Sequence, residues 1–105
     1  MSTLLAYVDN DNLLEVDLLR DVDDEYVNDA TVTCISIAPV GGSDILGTPV
    51  TLAYVTASNG KYRGTAQDTL ALVADTNYEA VITVDGGGLQ AKFTVPFTAR
   101  ERTTL

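Results

Sequence analysis

The residues best equipped for chemistry crowd the first third of the chain. Asp21, Asp23, Asp24, Glu25 and Asp29 fall within one short segment, with Asp9 and Asp11 upstream. Clustered carboxylates of this kind can serve a hard cation such as Ca²⁺, which takes six to eight oxygen ligands. An EF-hand loop would also need a glycine at its sixth position and a terminal Glu, and neither spacing is present. Two other readings use the same residues: a solvated acidic loop, or a surface that docks on a basic partner and gains rate and register from the charge. All three remain open on the residues alone, and the five carboxylates are weak Ca²⁺ candidates.

Other chemistry is excluded by composition. The chain has no histidine, so Ser-His-Asp and Cys-His arrangements cannot exist, and a zinc site would have one cysteine and carboxylates only. Cys34 lies mid-strand among apolar neighbours and reads as a small buried hydrophobe; being the single cysteine, it can form no intrachain disulfide. Gly86-Gly87-Gly88 sits between two strand patterns, with no helix N-terminus to face a phosphate. No catalytic residue and no cofactor are expected, and an enzyme is not.

Charge narrows the partners further. The net charge is −9, and residues 1–29 hold nine of the fifteen acids with Arg20 as their only base, so that segment carries −8 and the remainder −1. No basic stripe is available to displace counterions from a nucleic-acid backbone. The start, Met1 to Val8, has no basic residue before its short apolar run, which breaks at Asp9; it reads as neither a signal peptide nor a membrane span.

The elements that must position these residues are strands. At 105 residues, 46% apolar and dominated by Val, Leu, Ala and Ile, the chain is one domain's worth. Residues 3–8 read as a strand and Asp9-Asn10-Asp11-Asn12 as a turn. Leu14, Val16 and Leu18 share one face of a second strand, although a helix over 13–20 competes. In the strand Ala30 to Ile37 the apolar phase shifts after Cys34, which predicts a bulge or burial on both faces. Residues 38–49 form a breaker-rich loop in which Ile45 and Leu46 either tuck onto the core or make an exposed contact tip. Asn59-Gly60 is a strong hairpin signal between 50–55 and 62–65. Tyr78, Ala80, Ile82 and Val84 alternate, and after the glycine turn Leu89 to Ala99 is the longest strict alternation in the chain. Pro96, lacking an N–H, makes that last element an edge strand or a bulged one.

About seven to nine strands at short spacing predict an all-β fold, an immunoglobulin-like Greek-key β-sandwich, with a small barrel as the competing architecture. Leu72, Thr76 and Tyr78 resemble the tyrosine corner of fibronectin type III and related modules, in which a Tyr hydroxyl bonds back to the backbone a few residues upstream. Ala74 stands where that pattern usually has proline. Residues 12–16, 19–21 and 26–33, together with Gly60-x-Tyr62-Arg63-Gly64, look like small immunoglobulin-like modules encoded among the virion structural genes of tailed bacteriophages.

That resemblance spans residues 12–100 and implies a non-enzymatic virion component made in the host cytoplasm. The leading expectation is a capsid decoration protein on the major capsid protein; a head–tail junction or tail accessory subunit is the alternative, and a stand-alone module binding carbohydrate or host surface is another. The partners implied are viral capsid or tail proteins, with room for a homo-oligomer. Residues 1–11 are expected to be a contact arm or edge strand and 101–105 a polar tail, with Leu4, Leu5, Tyr7, Ile45 and Leu46 as candidate partner contacts.

Overall fold

A computed structural model of the chain describes residues 2–4, 6–86 and 88–101. The described residues form eight strands and no helix: β1 (Ser2–Leu4), β2 (Ala6–Tyr7), β3 (Asn12–Val16), β4 (Thr31–Pro39), β5 (Val50–Tyr54), β6 (Tyr62–Ala66), β7 (Asn77–Gly86) and β8 (Leu89–Arg100). They hydrogen-bond into one mixed sheet in the order β1-β3-β6-β5-β4-β7-β8-β2. Every pairing is antiparallel except β2 with β8. The two ends of this order, β1 and β2, are separated in sequence by residue 5 alone, so the sheet curls toward closure on itself.

The core is built by alternation. On β7, Tyr78, Ala80, Ile82 and Val84 are buried and the residues between them are not; they meet Leu14 and Val16 of β3, Val32, Cys34 and Ile37 of β4, Leu52 of β5 and Tyr62 of β6. The phase shift in β4 is a bulge. Register against β7 runs Cys34↔Ile82 and then Ser36↔Val81, so Ile35 is the extra residue and Ile37 returns to the core face. Leu18 departs from the expected pattern: β3 stops at Val16, and Leu18 takes a left-handed backbone (φ 55°) with its side chain exposed. Asp17 and Leu18 turn the chain out of the sheet there, which the alternation of Leu14, Val16 and Leu18 does not reveal.

Two residues fix how the connections lie on this frame. Asn12 is the one buried polar residue among those described; its Oδ1 accepts from Tyr7 N (2.8 Å), and its Nδ2 donates to Tyr7 O and Asn10 O (both 3.1 Å). It thereby stitches β2 to the start of β3 and satisfies every polar atom it brings inside. Gly60, in the β5–β6 connection, has φ 67°, and a Cβ there would come within 2.5 Å of Leu19 N. Only glycine lets that turn pass so close to the segment leaving β3.

Candidate functional site

The segment from Leu18 to Asp29 leaves β3, projects past one end of the sheet and returns as β4. Its base is anchored from three sides: Leu19 N donates to Gly60 O (3.0 Å), Val27 N to Leu19 O (2.9 Å), and Gly60 N to the Asn28 side chain (2.8 Å). The deepest tie is Tyr62. Its hydroxyl, reaching from β6 under the segment, donates to Val27 O at 2.7 Å and accepts from Ala30 N at 3.3 Å. Burial raises the Tyr62 pKa above its ordinary value, because the phenolate would lose water there.

The tip is equally ordered. Arg20 and Tyr26 form an isolated antiparallel bridge. The Arg20 guanidinium stands 4.5 Å from the centre of the Tyr26 ring, donates to its hydroxyl, and pairs with Asp24 at 3.0 Å. Asp21 spends its carboxylate on the backbone, accepting from Asp23 N and Glu25 N (2.8 and 3.1 Å), while Asp24 takes φ 63°. Asp and Asn tolerate that conformation and bond their own backbone, which is why this acidic run folds as a tight turn. Asp23, Glu25 and Asp29 project as carboxylates without an ion-pair partner among the described residues. Among them stand apolar side chains: Val22 is 88% exposed, Leu18 52% and Tyr26 38%.

Among the described residues no three Asp, Glu or Cys side chains come together as a group that could hold a metal ion. Asp21 and Asp24 are committed to backbone and Arg20. Asp9 and Asp11, upstream of the cluster in sequence, lie at the other end of β3, because that strand is extended and five residues long. There Asp11 accepts from Asp68 N (2.8 Å), tying the β2–β3 turn to the β6–β7 connection.

The other candidate contacts gather at that same far end. Tyr7 lies on β2 opposite Arg100; Leu4 lies on β1, and Leu5 falls outside the described residues, as do residues 102–105 of the tail. Ile45 and Leu46 are half-buried against the core, held by Ile45 N donating to Ile37 O (2.7 Å) and by Asp44, which accepts from Ile37 N and Leu46 N. They line a cleft of about 230 Å³ with Thr48, Val50, Gln67, Thr69 and Leu70. Tyr78 is buried, stacked on Phe97 at 5.5 Å, and its hydroxyl accepts from Val73 N at 2.7 Å; Leu72 is buried beside it, and Thr76 O accepts from Ala99 N.

The Cys34 thiol is fully buried and pushed up to about 11 by desolvation, which leaves no thiolate at neutral pH. Among the described residues no helix is long and apolar enough to cross a membrane. Sequence reasoning picked out the carboxylates of the Leu18–Asp29 segment but not its apolar tip. Val22 between two aspartates was the available signal, since a β-branched residue in a polar turn has no core to enter. Compared with protein-family models, characterised proteins and solved structures, the chain matches none.

Proposed function

We propose that this chain is an immunoglobulin-like Greek-key module serving as a non-enzymatic structural protein of a tailed-phage virion, most concretely a capsid decoration protein that docks through its Leu18–Asp29 segment. The observation carrying the docking role is that segment's surface. Val22, Leu18 and Tyr26 stand exposed among carboxylates on a backbone already tied down by Gly60, Tyr62 and Arg20, so little ordering entropy remains to be lost on binding. Exposed apolar side chains give such a contact its affinity, and the surrounding negative charge gives rate and register against a basic surface.

Two features support the immunoglobulin-like reading of the fold. β5 changes partner midway, pairing Val50 to Leu52 with β4 and then Ala53 and Tyr54 with β6, as a strand crossing between the two layers of a sandwich would. The N-terminal segment divides in the same way, β1 on β3 and β2 parallel to β8. The virion setting follows the sequence resemblance. It is tested by quantitative mass spectrometry of purified particles from the encoding phage. Copies in proportion to the symmetry sites of the capsid lattice are expected; a handful per particle would move the protein to the head–tail junction or tail, and complete absence would overturn the reading.

A further inference from the structure

β8 has an open side. β7 pairs with it from Leu89 to Thr98, whereas β2 lies in register only with Ala99 and Arg100. Ala99 N donates to Thr76 O and Ala99 O accepts from Asp75 N, while Arg100 O accepts from Val8 N on the opposite side. By the alternation of an antiparallel pair, odd-numbered residues of β8 turn their peptide groups to β7, and Gln90, Lys92, Thr94, Pro96 and Thr98 turn theirs outward. Among the described residues nothing pairs with the outward groups of Gln90, Lys92, Thr94 and Pro96, while the Ala6↔Ala99 pairing of β2 takes up the outer carbonyl of Thr98. Leu89, Ala91, Phe93, Val95 and Phe97 point to the core side but stay only half-buried, because the edge is not fully covered.

We propose that this edge pairs with the same edge of a second copy, β8 antiparallel to β8, joining two sheets across a two-fold axis. The sequence of the strand is self-complementary about Phe93. In that register Phe93 faces Phe93 of the second copy, Ala91 faces Val95, Leu89 faces Phe97 and Lys92 faces Thr94, so apolar residues meet along one face and the two lysines are not directly opposed. Pro96 faces Gln90, where its missing N–H costs one bond on each side and leaves the rest of the ladder intact. β2 fixes the limit of sliding, since it occupies the outer side of Ala99 and Arg100 and a register centred further along would collide with it.

Charge selects the same occupant and orientation. From Leu89 to Arg100 the strand has no acid, and Lys92 and Arg100 have no ion-pair partner among the described residues. β8 begins at the end of the sheet that carries Leu18–Asp29 and runs away from it. Antiparallel pairing therefore sets the two acidic ends at opposite poles and carries Arg100 of each copy toward the acidic end of the other, which limits the repulsion between chains of net charge −9. The inference does not depend on the virion reading.

The test is sedimentation of the full chain from about 10 µM to about 1 mM at moderate salt, with two variants whose new proline lies at an outward N–H and so removes no bond to β7. Wild type is expected to reach twice the 11.1 kDa chain mass. Thr94→Pro should remain monomeric, and Gln90→Pro should weaken the dimer at least about tenfold, both with unchanged circular dichroism. Hydrogen exchange on wild type reads the same edge without mutation: amides of Lys92 and Thr94 should become protected as concentration rises. A wild-type chain monomeric throughout, a dimer retained in a folded Thr94→Pro variant, or no concentration dependence at those two amides would each overturn the proposal.

Discussion

Removing one oxygen atom, in Tyr62→Phe, should loosen the Leu18–Asp29 segment from beneath. The Tyr62 ring is fully buried and packs against Tyr54 at 5.6 Å, so the phenylalanine keeps its place and its apolar contacts. What disappears is the donor to Val27 O and the acceptor for Ala30 N. Val27 is itself buried, so its carbonyl is left without a partner, and an orphaned buried acceptor costs about 1–3 kcal/mol. The bond to Ala30 N is longer and only part-buried, and adds little. A total of about 2 kcal/mol corresponds to a fall in Tm of about 10 °C for a domain near 100 residues. Thermal and urea denaturation followed by circular dichroism would measure it, with the urea m-value unchanged. Hydrogen exchange should accelerate at Val27 and Ala30 more than on β7, whose pairing does not involve Tyr62. A Tm shift below about 2 °C, or loosening spread evenly over the sheet, would refute the role of this hydroxyl as the anchor of the segment.

Three further outcomes follow from the same geometry. Gly60→Ala forces a Cβ to within 2.5 Å of the Leu19 backbone at a positive φ, so the β5–β6 turn and the segment behind it must separate; a loss of more than about 2 kcal/mol is expected in equilibrium unfolding, well beyond the cost of positive φ alone. Asn12→Asp turns the donor that faces Tyr7 O and Asn10 O into an acceptor, and should cost about 2–3 kcal/mol at pH 7; because the charge is penalised only in the folded state, that loss should shrink as pH falls and recover as far as it can by about pH 4. Stability should also fall in alkali. Cys34 is raised from 9.0 to about 11 and Tyr62 is raised too, so the unfolded chain loses these protons first; the stabilisation is complete below about pH 9 and is lost as pH rises through about 11. Cys34→Ala, although less stable at neutral pH, should show a shallower decline over that window.

Much of the fold could be read from short stretches because it rests on alternation. Tyr78 to Val84 and Leu89 to Ala99 form the longest hairpin, Asn59-Gly60 marks the β5–β6 connection, and the shift after Cys34 is a bulge at Ile35. Long-range pairing left weaker traces. Nothing local tells β1 to join β3 while β2, one residue later, joins β8 in parallel, since those partners lie far along the chain. Asn12 reads as one more turn residue until its three hydrogen bonds show it buried. The alternation of Leu14, Val16 and Leu18 misplaced Leu18, whose backbone leaves the strand at positive φ. The same departure turns Leu18 outward beside Val22 and Tyr26, so the apolar half of the candidate site arises where the strand pattern fails.

The proposed docking role is tested most directly by binding to particles. On the proposed capsid role, purified phage capsids lacking this protein would be titrated with wild-type chain and with a Val22→Ser, Asp23→Asn, Glu25→Gln variant, whose altered side chains make no ion pair or side-chain hydrogen bond among the described residues. The account predicts an unchanged Tm, binding weakened at least about a hundredfold for the variant, and a wild-type affinity that falls as salt rises. Equal binding by the two proteins, or wild-type binding indifferent to salt, would contradict it.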